Sequence, residues 1–162
     1  MVLDLRDQIL AGPAGQERAL TRDEMVEFAS AVDLASLDLG EYRRFQENCY
    51  ARNRVVLNDH VELVVICWGS GQSSAIHDHG KSYCLYLVIE GEMHEERFRL
   101  NGSGKPEPTD ERTYGRGDIS VSAGHEIHRI NNQSEADLVT VHIYSPPLGD
   151  SMKLFTPIPR SG

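Results

Sequence analysis

The sequence predicts a mainly β chain, a barrel or sandwich of short antiparallel strands with short helices packed outside it at the N-terminal end. From Tyr50 onward, short runs rich in β-branched and aromatic residues are separated by turn residues about every ten positions, the pattern of an all-β sandwich or barrel. Helical periodicity is confined to the residues before 48. No internal repeat or low-complexity stretch interrupts the β region. The 162 residues, 40% hydrophobic and 25% charged, suffice for one globular domain with a real core.

Residues 3–10 and 21–32 read as helices, broken by Gly12-Pro13-Ala14-Gly15. The second opens on Thr21-Arg22-Asp23-Glu24, a capping box in which Thr and Glu satisfy free donors of the first turn. Met25, Phe28, Ala29 and Val32 then give it one apolar face. A third short helix is expected from about Ser36 to Phe45. Strands follow at 50–57, 61–68, 73–79, 84–90, 93–99, 118–121, 126–131 and 138–145. Turns fall at Asn58-Asp59, Gly69-Ser70-Gly71, Glu90-Gly91 and Asn101-Gly102-Ser103-Gly104, and by composition 101–117 is a mobile connection.

The formal net charge is −9, without a Lys or Arg run, which argues against a nucleic-acid or anionic-membrane surface. The charged opening Met1–Asp7 does not resemble a signal peptide, and no apolar run approaches a membrane span. Three cysteines without a secretion signal argue against a disulfide framework. The expected compartment is the cytoplasm, and the expected state a monomer.

Of seven histidines, two stand in His77-Asp78-His79. On a strand these two share a face while Asp78 points away. Such a pair is either half of a metal site or two solvated imidazoles. The frame decides between them. Gly71, five residues, His77-x-His79, four residues, Cys84, six residues and Gly91 resemble the first cupin motif, with Cys84 where Glu is usual. Gly117, ten residues, His128, three residues and Asn132 resemble the second, with Ala123 where Pro is common. The resemblance implies a mainly β cupin barrel (double-stranded β-helix, or jelly roll) holding a metal on His77, His79 and His128. It would be a single domain over 1–162, with a helical entry at 1–48, the metal-binding barrel at 50–148 and a C-terminal tail at 149–162. Without the Glu the ligand set is neutral, so an anionic substrate can meet the uncompensated metal charge directly, and up to three coordination positions stay open. Asp78, aimed away, is read as an outer partner or as structural.

Further residues narrow the resemblance. Cys67-Trp68-Gly69, Ser74-Ala75-Ile76-His77-Asp78-His79, Ser82-Tyr83-Cys84, Ile127-His128-Arg129 and His142-Ile143-Tyr144-Ser145-Pro146-Pro147 stand in the order of the thiol dioxygenases, and of the cysteine dioxygenase family in particular. The resemblance spans about Tyr50 to Leu148. It implies a mononuclear Fe(II) enzyme that adds both atoms of O2 to the thiol of L-cysteine, giving cysteine sulfinic acid. It assigns the iron to His77, His79 and His128, and the substrate carboxylate to Arg52 with Tyr50 beside it. It makes Tyr144 the active-site tyrosine, with His142 its hydrogen-bonding neighbour. Cys84 matches the cysteine that animal members link to that tyrosine as a thioether, while Thr140 stands where they have Ser. It also implies a cis bond before Pro146.

Strand alternation agrees, placing Thr140, His142 and Tyr144 on one side and Val139, Val141 and Ile143 on the other. Each residue also has a plainer role. Tyr144 could simply satisfy a core histidine, Arg52 could be a solvated strand residue, and Cys84 could be packing. Two other functions stay open, a thiol dioxygenase for 3-mercaptopropionate or cysteamine and a non-catalytic metal-dependent ligand-binding cupin. Arg52 argues against the first, because the mercaptopropionate enzymes have Gln there and cysteamine has no carboxylate. His60 and His94 are expected to be solvated, His125 an outer partner or exposed, and Cys49 and Cys67 small buried residues.

Overall fold

The computed structural model describes residues 17–156 together with Leu3, Asp4, Leu5, Asp7 and Gly12. The elements are β1 (Leu3–Asp4), α1 (Arg22–Ala31), β2 (Leu37–Asp38), a 3₁₀ turn (Gly40–Tyr42), β3 (Ala51–Leu57), β4 (Glu62–Trp68), β5 (Ile76–His77), β6 (Tyr83–Glu90), β7 (Met93–Leu100), β8 (Pro106–Tyr114), β9 (Ile119–Ser122), β10 (Ile127–Asn131), β11 (Leu138–Ser145) and β12 (Leu154–Phe155).

Ten of these strands form two five-stranded antiparallel sheets, ordered β3-β4-β11-β6-β9 and β12-β5-β10-β7-β8. The chain crosses repeatedly between them, so residues distant in sequence meet in the space between. β4 and β11 lie inside the sheet and are buried on both faces; β4 accordingly reads as a continuous apolar run after Glu62, while β11 sets Thr140, His142 and Tyr144 on its inward face. Leu63, Val65, Cys67, Val139, Val141 and Ile143 face outward into one core with Met25 and Ala29 of α1. Val64, Ile66, Trp68, Leu138 and Tyr144 face inward with Cys84, Tyr86 and Val88. Fully burying such apolar side chains contributes roughly 1.5–3 kcal/mol each. α1 starts as expected, with Thr21 Oγ1 accepting from the Glu24 amide at 3.3 Å and Glu24 Oε2 accepting from the Thr21 amide at 2.8 Å. Gly91 turns β6 into β7 at φ 81°, and a Cβ there would collide with the carbonyl of Asp137.

Several expectations need correction. In the helix expected over 3–10, Leu3–Asp4 instead pairs in parallel with Leu37–Asp38; Leu5 and Asp7 are helical, and the rest lies outside the described residues. The helix expected at 36–45 is only the strand β2 and one 3₁₀ turn, because Asp38 and Gly40 set a turn in which Asp38 Oδ1 accepts from the Gly40 amide at 2.8 Å. The connection expected over 101–117 contains β8, hydrogen-bonded along β7. The strand expected at 73–79 is ordered as a ladder only at Ile76–His77, apart from a single bridge at Ser73. Part of the expected tail is β12, which pairs with β5, while residues 157–162 lie outside the described residues. Cys49 is exposed, whereas Cys67 is buried.

Candidate metal centre and substrate pocket

His77 ends β5 and lies directly opposite His128 of β10 in the antiparallel register. His79 falls just beyond β5, where its amide donates to the carbonyl of Gly124 at 2.8 Å. The three rings converge through their Nε2 atoms, with His77–His79 and His77–His128 at 3.2 Å and His79–His128 at 3.3 Å. No other group of metal-binding character appears among the described residues.

Outer contacts fix two of the three tautomers. His77 Nδ1 lies 2.8 Å from the carbonyl of Ala75 and must donate to it. His128 Nδ1 lies 2.8 Å from Glu95 Oε1 and donates to that carboxylate. Both Nε2 atoms therefore present lone pairs to each other at hydrogen-bond distance, an arrangement that calls for a cation between them. The separations suit imidazoles sharing one ion at about 2.0–2.1 Å. Burial first, then the neighbouring imidazoles, hold His77 down to about 4 and His79 lower still, so both rings stay neutral and each keeps one nitrogen lone pair able to ligate. Asp78 is structural: its Oδ1 accepts from the amides of Gly80 at 3.2 Å and Lys153 at 3.0 Å.

Glu95 escaped the sequence reading. It is fully buried on β7, hydrogen-bonded to His128 and also to Arg97 Nε at 3.3 Å and Tyr114 Oη at 3.2 Å. Burial pushes its carboxyl up, but the His128 hydrogen bond with the Arg97 charge more than offsets this and leaves it ionised. Its one sequence signal was parity, since it shares the inward face of β7 with the fully buried Met93. Tyr86 was also missed. Its buried ring lies nearly parallel to His128, with the hydroxyl 3.4 Å from both ring nitrogens.

Beside the three histidines opens a cavity of about 400 Å³ lined by Tyr50, Arg52, Trp68, His77, His142 and Tyr144, among others. Tyr50 precedes β3 and stacks on Trp68 with centroids 4.4 Å apart. Arg52 stands at the mouth, with Nη1 3.3 Å from Tyr144 Oη and its guanidinium 5.5 Å from the Tyr144 ring centre. Thr140, His142 and Tyr144 lie along β11, with Thr140 Oγ1 2.9 Å from His142 Nε2 and His142 Nδ1 3.2 Å from Tyr144 Oη. Cys84 of β6 is fully buried and directly opposite Tyr144 in the β6–β11 ladder. Burial pushes the Cys84 thiol and the Tyr144 phenol above their usual ranges, so both are protonated. Of the remaining histidines, His125 is exposed, while His94 is half-buried beside Thr113 and Glu111 rather than solvated. The Ser145–Pro146 bond is cis.

Residues 13–156 match the family model described as cysteine dioxygenase type I. The chain belongs to that family. Curated relatives of the family include cysteine dioxygenase type 1 of Rattus norvegicus, 32% identical over 65% of this chain and 56% of the relative. The Bos taurus protein of the same name is 30% identical over 83% of this chain and 68% of its own length. The match to the rat relative thus spans little more than half of that protein. Among solved structures, a Klebsiella pneumoniae protein with a double-stranded β-helix domain aligns with TM-score 0.60 at 21% identity, over 77% of this chain and 96% of that one. An RmlC-like cupin from Shewanella frigidimarina gives TM-score 0.54 at 19% identity, covering 70% and 92%. With the two antiparallel sheets, these likenesses establish the fold as the double-stranded β-helix of the cupins.

Proposed function

We propose that the protein is an Fe(II) dioxygenase that converts L-cysteine and O2 to cysteine sulfinic acid. The observation that carries the proposal is a three-imidazole set without a carboxylate, one member of which, His77, lines the same cavity as the Arg52 guanidinium. The reaction balances as RSH plus O2 giving RSO2H, with the S–H proton retained by the product. Bound iron would supply the electron transfer that lets ground-state O2 react with a thiolate. The chain's own residues supply the rest. Arg52 offers a planar fork matched to a carboxylate. As neutral ligands His77, His79 and His128 would leave the positive charge of a bound metal uncompensated, which would favour the thiolate form of the substrate. Tyr144 is held protonated, so its hydroxyl is a hydrogen-bond donor rather than a base.

Oxygen uptake by iron-loaded protein with a panel of thiols tests this reading. Cysteine should be consumed in clear preference to cysteamine and 3-mercaptopropionate, each of which lacks one of the two polar groups of cysteine. Equal use of cysteine and cysteamine would remove the carboxylate from the account.

The reading includes a thioether between Cys84 Sγ and an ortho carbon of Tyr144. Support comes from the register, because directly opposed residues in an antiparallel pair have Cβ atoms about 4.5–5.5 Å apart. The coupling removes one hydrogen from sulfur and one from the ring, with O2 as the two-electron oxidant. Peptide mass spectrometry on protein cycled with cysteine and O2 should find the two peptides joined, lighter by two hydrogens and resistant to reductant. Cys84→Ser should abolish that species and lower activity without eliminating it. Free peptides after full cycling would contradict the crosslink and leave the metal site untouched.

A further inference from the structure

The buried polar row does not begin at Thr140. Trp68 of β4 is 1% exposed, faces the barrel interior and directs its indole Nε1–H at Thr140 Oγ1, 3.0 Å away. An indole N–H can only donate. Thr140 Oγ1 has two polar partners among the described residues, Trp68 Nε1 and His142 Nε2. If the hydroxyl accepted from both, its own proton would be left buried and unpaired, which is costly. It therefore accepts from Trp68 and donates to His142 Nε2.

We infer that Trp68 is a positioning residue that sets the direction of the entire row: its indole N–H holds Thr140 so that His142 carries its proton on Nδ1 and Tyr144 is left to donate away from His142. His142 is deeply buried and neutral, so it has one N–H. With Nε2 accepting, that proton sits on Nδ1 and points at Tyr144 Oη, 3.2 Å away. Arg52 Nη1 also donates to the same oxygen at 3.3 Å. Two donors occupy the phenol oxygen, so its own hydrogen turns to a third acceptor, the neighbouring Cys84 sulfur or a group in the cavity. In the opposite tautomer Tyr144 would donate to His142 Nδ1 and lose that direction. Without the indole, Thr140 can rotate about χ1 and present its methyl where the hydroxyl stood, since side-chain rotamers exchange readily when no contact selects one. The row, one donor and one acceptor at each joint, then loses its fixed order.

The inference rests on the proposed dioxygenase reading only for what Tyr144 donates to, and its main test does not use activity. Imidazole nitrogen–proton correlation spectra of the diamagnetic Zn(II)-loaded protein report the His142 tautomer directly. The parent should show Nδ1–H alone. Trp68→Phe and Thr140→Val should each show a mixture, and Thr140→Ser, which keeps the hydroxyl, should return to Nδ1–H. In the iron-loaded enzyme Trp68→Phe should lower kcat about tenfold with KM for cysteine within about twofold, the size of one lost directed hydrogen bond. If Trp68→Phe does not fold, the Val and Ser variants at position 140 carry the test. A His142 that stays wholly Nδ1–H in Trp68→Phe, or in Thr140→Val should the former not fold, would overturn the inference whatever the activity. A parent protein inactive toward cysteine would instead sink the dioxygenase reading and leave the tautomer result standing.

Discussion

Replacing His128 with alanine is expected to strip the protein of its metal and abolish turnover. Two effects combine. One of three converging Nε2 atoms disappears, and the two that remain are a poor site for a divalent ion. The change also takes from the buried Glu95 carboxylate its 2.8 Å partner on Oε1, leaving only the longer contacts of Arg97 and Tyr114 to Oε2. Losing only an outer partner of a metal ligand typically costs 10–100-fold in affinity or activity, so loss of the ligand itself should exceed about 100-fold. The unsatisfied Oε1 should also lower the stability of the metal-free protein by about 1–3 kcal/mol. Elemental analysis, turnover and denaturant unfolding measure the three effects separately. Full metal content with full turnover in His128→Ala would mean the site is wrongly placed.

Arg52→Ala is the second large effect. The substrate carboxylate would lose its charged partner at the cavity mouth, and because Arg52 is exposed the loss falls at the low end of about 2–5 kcal/mol. That corresponds to a fall in kcat/KM for cysteine of roughly 30-fold or more. Metal content should not change, because Arg52 contacts none of the three Nε2 atoms and its hydrogen bond runs to Tyr144 Oη. Arg52→Lys should recover only part of the loss, since an ammonium lacks the two-pronged geometry of the guanidinium. Parallel steady-state kinetics and metal analysis on the three proteins decide the matter. A cysteine kcat/KM unchanged in Arg52→Ala would place the carboxylate elsewhere.

How far the sequence could be read depended on whether a residue's partner was encoded nearby or across the fold. β4, β6 and β11 were plain because both their faces are buried and most of their residues are β-branched, aromatic or otherwise apolar. β8 was hidden for the opposite reason. It is an edge strand carrying Pro106 and Pro108 among charged residues, a composition an edge tolerates because one side of its ladder is free. The helix expected at 36–45 failed because the Asp38–Gly40 turn overrides a modest helical pattern. His77, His79 and His128 were legible from motif spacing, although β5 supplies only two residues of the strand that the parity argument assumed. His79 reaches the others from beyond the strand, held by Gly124. Glu95 could not be read because its meaning depends on the β7–β10 register, which sets β7 beside the strand carrying His128. The Trp68 hydrogen bond depends in the same way on the β4–β11 pairing, and no local pattern announces it.

The most direct test of the account follows the oxygen atoms. Iron-loaded protein turns over cysteine under 18O2, with the product analysed by mass spectrometry and O2 consumption recorded in parallel. The account predicts cysteine sulfinic acid with both sulfinate oxygens labelled and one O2 consumed for each product formed. Disulfide as the main product, label in only one oxygen, or uptake no greater than that of free iron with cysteine would contradict it.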